Sequence, residues 1–313
     1  MTRMAIFCMI PTPFHEDGSL DEDALRIHIR RLAEANNAIF LSSGGAGEAQ
    51  SLTVDEMRRV CEVAVAEAKG VVPVYAGLRE SRTAQAMYEI ARPAIEADVD
   101  AVQLYQLDYG HGMIPTLAEQ SLYWKTLLDA IEHPVALSIH YEAKFRPPPA
   151  FLRDLCDRYP QIVALNLVGS QPGYFVAVRD AIPEQIAMYV GLPEFAQGVA
   201  FGASGAINPS GNVIPYICRS IVDAYLAGDM EALSRGLRTV LRFMNIVNEW
   251  APSTARWVKM AMKVAGTGNG VLRPPYLLPP GDDQRRMAEA FLRMHLFELE
   301  AEASAAARGV AAG

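Results

Sequence analysis

Short apolar runs alternate with amphipathic stretches along most of the chain. The runs are MAIFCMI (4–10), AIFLSS (38–43), VVPVYAG (71–77), DAVQLYQL (100–107), PVALSIH (134–140), QIVALNL (161–167), IAMYVG (186–191) and GAINP (205–209). Their length and their apolar content predict buried strands. Between them the apolar positions recur at helical spacing. A helix is predicted from Asp21 to Ala35, opening within the turn segment DGSLDED with acids in its first turn. A second follows in LTVDEMRRVCEVAVAEAKG, where Thr53 is a candidate N-cap, Glu56 stands at the capping-box position and Gly70 ends the helix. Further helices are predicted near 81–97, 117–131, 148–158, 172–182 and 193–202.

Eight strands alternating with helices predict an α/β fold, a single (β/α)8 TIM barrel. The rival architecture is an open doubly wound sheet. No Gly-x-Gly-x-x-Gly turn follows the first strand and no long linker divides the chain, which favours the barrel. After residue 210 the strand pattern stops. NVIPYICRSIVDAYLAGDMEALSRGLRTVLRFMNIVNEW, TARWVKMAMKVAG and DDQRRMAEAFLRMHLFELEAEA are helical at heptad-like spacing. The chain is therefore read as a barrel over 1–210 and a C-terminal helical extension over 211–313, packed on the barrel as one structural unit. The Ala-rich end, Ala303 to Gly313, is expected to fray.

Composition narrows the function classes. The 313 residues are 51% hydrophobic and 20% charged, with a net charge of -8. No Lys/Arg run is long enough for a nucleic-acid stripe, and no apolar stretch reaches the length of a membrane span. The short apolar start MTRMAIFCMIPTPF is broken early by Pro, unlike a signal peptide. Cys8, Cys61, Cys156 and Cys218 lack paired metal or redox spacing, so free thiols in a cytoplasmic protein are expected.

One polar residue interrupts a buried run. In IVALNLVGSQ (162–171), Asn166 places an amide in the middle of an apolar strand. A buried amide without partners costs about 1–3 kcal/mol, so this one needs a neighbour or a ligand.

Several segments, in order, resemble the dihydrodipicolinate synthase / N-acetylneuraminate lyase family. IPTPFHEDGSLD (10–21) is similar to the family's first-strand exit, and GGAGEAQSLTVDE (44–56) matches its Gly-Thr-Thr-Gly-Glu segment in spacing. YAGLRESRTAQA (75–86) resembles the step after strand three. GASGAINPSGNVIP (202–215) and VKMAMKVAG followed by VLRPPYLLP are similar to the family's last strand and C-terminal helix. The resemblance covers nearly the whole chain. It implies a barrel that assembles as a homodimer or homotetramer, with no cofactor. It also implies a lyase or aldolase activity on a 2-oxo acid or related carboxylate. In the family, a strand-six lysine forms a Schiff base with the oxo acid, and a strand-five tyrosine shuttles protons. A strand-two threonine and a strand-four tyrosine assist, and the Gly-Thr-Thr-Gly-Glu loop holds the carboxylate.

Residue by residue, the chain departs from that machinery. Asn166 aligns with the lysine, and an amide nitrogen cannot form an imine because its lone pair is delocalised into the carbonyl. Gly45 and Ala46 align with the two threonines, and Ser138 with the proton-shuttling tyrosine. Only Tyr109 of the strand-four pair remains, and Ala143 stands where an arginine is expected, with Lys144 and Arg146 close by. Ordinary pyruvate Schiff-base catalysis is therefore expected to be absent.

The candidate site follows from the residues that remain. Asn166 is either a ligand hydrogen-bonding group or a polar residue packed among barrel neighbours. His140 shares a strand face with Ser138 and has the pKa range for proton transfer, though a structural imidazole is an equal reading. His140, Tyr109 and Ser138 are the catalytic candidates; Gly45, Ala46, Gly47, Asn166, Asn208 and Lys144 are the substrate-binding candidates. Gly44 to Gly47 form a backbone cradle for an anion, and Glu48 reads as a loop carboxylate bonded to backbone N–H groups. Lys144 is also the one candidate for a displaced Schiff-base amine. Lys259 and Lys263, four apart, read as structural or solvated. Asp108, His111 and His140 would be the ligands of a metal-assisted aldolase, although no histidine pair has metal spacing and no metal is expected. A non-catalytic binding or regulatory paralogue is the alternative from a different class.

Overall fold

The computed structural model describes residues 4–139, 145–250 and 253–311. Eight strands form a closed, all-parallel barrel in chain order. They are β1 (Ala5–Met9), β2 (Ala38–Leu41), β3 (Val74–Ala76), β4 (Ala101–Tyr105), β5 (Val135–Ser138), β6 (Ile162–Asn166), β7 (Ala187–Gly191) and β8 (Gly205–Asn208). Each lies inside a run read from the sequence. All but β7 are shorter than the runs at their C-terminal ends, where the chain leaves the sheet to build the loops around the barrel mouth.

The helices alternate with them: α1 (Glu22–Glu34), α2 (Val54–Ala68), α3 (Ala84–Glu96), α4 (Leu117–Leu128), α5 (Pro149–Arg158), α6 (Pro172–Ala181) and α7 (Phe195–Ala200). Local signals set their ends. The Asp21 carboxylate accepts the Ala24 N–H, and Thr53 and Glu56 form the reciprocal capping box expected of them. Thr116 and Glu119 repeat that box at α4. Such caps satisfy first-turn donors and are worth about 1 kcal/mol each.

Inside the barrel, alternate residues face one another. Phe7, Phe40, Tyr75 and Tyr189 fill it. The Phe7 ring lies 4.5 Å from Tyr75, and 5.2 Å and 6.4 Å edge-on from Tyr189 and Phe40. Ala38, Ala136, Ala164 and Ala187 pack in the same cluster, small against large. This plug closes the barrel below its C-terminal end. Closure itself requires Gly205, because a Cβ there would sit 1.8 Å from the Ala5 carbonyl oxygen.

After β8 come α8 (Pro215–Ala227), α9 (Met230–Val247), α10 (Thr254–Val264), α11 (Gly281–Arg293) and α12 (Leu296–Ala311). The sequence read two of these stretches as continuous. Gly228 (φ 73°) and His295 (φ 54°) take left-handed backbone and break them. The end expected to fray is helical to Ala311, in keeping with the high helix propensity of alanine.

One contact ties this extension to the barrel, and a second ties its last helix to α8. Arg273 stacks on the Phe14 ring at 4.1 Å and bonds the Gly18 and Ser51 carbonyls and the Glu56 carboxylate. Glu300 on α12 accepts the Tyr216 and Ile217 N–H groups, each at 2.9 Å, and so caps α8, which has no cap of its own. Burial pushes the Glu300 carboxyl up to about 7. The folded chain therefore binds this proton more tightly than the unfolded chain. The stability linked to Glu300 is present below pH about 4.5 and is lost as pH rises through about 7. The wild type minus Glu300→Gln difference in thermal midpoint is expected to fall between those values. A difference constant with pH would contradict this assignment.

Candidate active site

At the C-terminal end of the barrel a cavity of about 380 Å³ opens above the aromatic plug. Its floor is Met9, Phe40, Ile207, Gln103, Tyr105 and Asn166, and its wall includes Ser43, Gly44, Gly45 and Glu48 from the loop after β2. Glu80, Gln50 and Tyr276 stand around it, and Ser253, Thr254 and Ala255 bring the start of α10 to its edge.

Strand register sets the floor. Tyr105 pairs with Ser138, Ser138 with Asn166 and Asn166 with Tyr189, one row across β4 to β7. Gln103 lies two residues before Tyr105 on the same face. Both ends of the buried Asn166 amide have a partner: Nδ2 donates one hydrogen to Gln103 Oε1 at 2.8 Å, and Oδ1 accepts the Val168 N–H at 3.1 Å. Asn166 is 6% exposed and Gln103 1%. Ser138 is covered in the same row, and its Oγ has no hydrogen-bond partner among the described residues.

The loop after β2 is compact for reasons visible in its backbone. Ser42 and Glu48 take left-handed φ of 51° and 54°. Gly47 has no room for a side chain, since a Cβ would lie 2.4 Å from the Ser43 nitrogen. Its carbonyl accepts from Thr12 Oγ1 at 2.8 Å and its N–H donates to Ser43 Oγ at 3.3 Å. Gly47 thus holds the loop together and does not offer its N–H to the cavity. The N–H groups of Gly44, Gly45 and Ala46 donate to no described residue. Gly45 lies beside Thr254, where α10 begins, and Ser253 makes no capping bond. Unpaired donors of the loop and of a helix N-terminus therefore converge on one wall.

Glu48 does not bond backbone N–H groups, as the sequence reading expected. Its carboxylate is buried 2.5 Å from the Lys259 ammonium, itself 4% exposed. Lys259 also donates to the Val271 carbonyl at 2.7 Å and lies 4.3 Å from the centre of the Phe14 ring. Burial raises the Glu48 carboxyl and lowers the Lys259 amine, and each partner opposes the other's shift. Lys259 is thus structural and buried, and Lys263 is exposed. Among the described residues lining the cavity the charged side chains are Glu48 and Glu80, with no cationic one.

The other candidates separate from this cavity. Asn208 is buried at the β1–β8 seam, donating to the Phe7 carbonyl and accepting the Gly211 N–H. It does not line the cavity. Tyr109 does not line it either; burial first, then the nearby Glu119, raises its hydroxyl pKa. Ala46 is fully buried in the core and does not line the cavity. His140 and Lys144 lie outside the described residues. Among the described residues no three His, Cys, Asp or Glu side chains gather into a metal site; Asp108 accepts the Gly110 N–H. Gln103 and Tyr105 were missed in the sequence. The signal was there, since Gln103 is an amide in an apolar strand just as Asn166 is. Gln50, Glu80, Thr254 and Tyr276 carried no comparable signal, being brought together only by the loops.

A closed parallel barrel with a polar cavity at its C-terminal face defines the class of protein. The match to the model of the dihydrodipicolinate synthetase family, over residues 3–294, then places the chain in that family, to which it belongs. The 4-hydroxy-tetrahydrodipicolinate synthase of Haloarcula marismortui is 28% identical, with 97% of each chain covered. That of Methylobacterium radiotolerans is 29% identical, covering 90% of this chain and 92% of its own. The solved dihydrodipicolinate synthase of Aquifex aeolicus superposes with a TM-score of 0.84 at 20% identity, covering 94% of this chain and 98% of the other. A prophage protein of the family from E. coli K12, solved in complex with pyruvate, gives 0.84 at 19% identity, covering 94% and 99%.

The buried Glu48–Lys259 pair yields a stability expectation. Lys259→Met leaves the carboxylate buried without its ammonium and is expected to cost about 3–5 kcal/mol in denaturant unfolding. Adding Glu48→Gln should recover a large part of that loss, and equal losses in the single and double variants would contradict the pairing.

Proposed function

We propose that the cavity is a non-covalent site for a 2-oxo acid or related carboxylate, in a lyase or aldolase-type barrel that does not work through an imine. The observation that carries this reading is the wall of neutral donors. Gly44 and Gly45 line the cavity with unpaired N–H groups, and the uncapped start of α10 stands beside them. Successive backbone N–H groups and helix N-termini favour an anion without a cationic side chain. Opposite them, the strand-six position of an imine-forming lysine holds Asn166, which can bond an oxygen but cannot attack a carbonyl. Lys259 is unsuited to replace it, being held between Glu48 and the Val271 carbonyl and absent from the cavity lining.

Proton transfer in this reading falls to His140, two residues beyond Ser138 in the strand-five sequence. Tyr109 is the weaker candidate because it does not line the cavity. The reading includes a homo-oligomer, as in the resemblance described above.

Incubation with pyruvate followed by borohydride reduction is expected to leave the intact mass unchanged. A stable pyruvyl adduct would overturn the non-imine reading, and its peptide would show whether Lys144 carries it. With a 2-oxo acid that the enzyme turns over, His140→Ala is expected to lower kcat by roughly 10²-fold or more. An unchanged kcat would remove His140 from proton transfer.

A further inference from the structure

The orientations of the two floor amides follow from one backbone group. The Val168 N–H can only donate, so the Asn166 atom that meets it is the carbonyl oxygen. That directs the Asn166 amide nitrogen at Gln103, 2.8 Å away. An amide nitrogen only donates, so Gln103 must present its oxygen there, leaving its NH2 group on the other side. This NH2 group has no partner among the described residues, although Gln103 is 1% exposed and lines the cavity. Asn166 Nδ2 keeps a second hydrogen. A buried pair of amide donors beside a cavity calls for an acceptor from the ligand.

We propose that Gln103 and Asn166 form a two-donor clamp for the carbonyl oxygen of a 2-oxo acid. The inference rests on the non-covalent reading of the cavity and adds which atoms take the oxo group. It gives the ligand two ends: a carboxylate against the Gly44 and Gly45 wall and an oxo oxygen against the amide pair. Donors aimed at a carbonyl oxygen draw electron density from the neighbouring carbon, and they stabilise that oxygen more strongly when it gains charge. Part of what a protonated imine does covalently is done here by hydrogen bonds. The clamp also discriminates: a 2-hydroxy acid can accept from both donors, but its own O–H then has no acceptor in the pair.

Both substitutions that test this preserve shape. Gln103→Glu keeps an oxygen for Asn166 but replaces the NH2 group with a second oxygen. Asn166→Asp keeps the acceptor for Val168 but removes the donor facing Gln103, so Gln103 turns over and its carbonyl faces the cavity. Wild type, Gln103→Glu and Asn166→Asp are titrated calorimetrically with pyruvate and with L-lactate, after circular dichroism confirms folding. Wild type is expected to prefer pyruvate. Each variant should lose roughly tenfold or more in the pyruvate-to-lactate affinity ratio. A general loss of packing would weaken both acids together and leave the ratio unchanged. An unchanged ratio in either variant overturns the clamp while leaving the non-covalent site standing. No saturable binding of either acid to wild type overturns both.

Discussion

The molecule depends on closing a parallel sheet on itself. β8 reaches β1 only because Gly205 has no side chain to strike the Ala5 carbonyl. Once the ring is closed, the pairing register is fixed at every seam and period-two alternation decides which residues face inward. Tyr105, Ser138, Asn166 and Tyr189 fall into one row, and Gln103 lies within hydrogen-bonding reach of Asn166 across β5. The aromatic plug below that row keeps the barrel packed, and the cavity is what remains above it.

The electrostatics of that cavity differ from an amine-centred site. The buried ammonium of Lys259 lies outside the cavity lining, paired with Glu48 and turned toward the Val271 carbonyl, so it supports the loop after β2. Backbone N–H groups and two side-chain amides are left to meet a ligand. Such donors are fixed in place and neutral, so they bind an anion or a polarised carbonyl without the desolvation cost of another charge. In the proposed reading, chemistry in this barrel proceeds from a ligand that is held and polarised, with no covalent link to the chain.

Much of the fold was legible because its signals are local and repeated. Eight apolar runs, capping residues such as Thr53 and Glu56, and the absence of a dinucleotide-binding turn were sufficient to predict the barrel. The kinks at Gly228 and His295 were harder, since helical periodicity continues on both sides of each. In the site, Asn166 was legible as an amide out of place, and Gly45 as part of the loop that borders the cavity. The roles of Asn208 and Gly47 were not, because each makes its bonds to residues that only the closed barrel brings near. The Lys259–Glu48 pair spans 211 residues of sequence, and a lysine on an amphipathic helix gives no sign of being buried.

The central claim is that an oxo acid is bound here as a ketone and remains one. Carbon NMR of pyruvate labelled at C2, titrated with the protein, observes that carbon directly. The account predicts one ketone resonance that shifts and broadens saturably as protein is added. A new C2 resonance in the iminium range, growing with protein concentration, would contradict it.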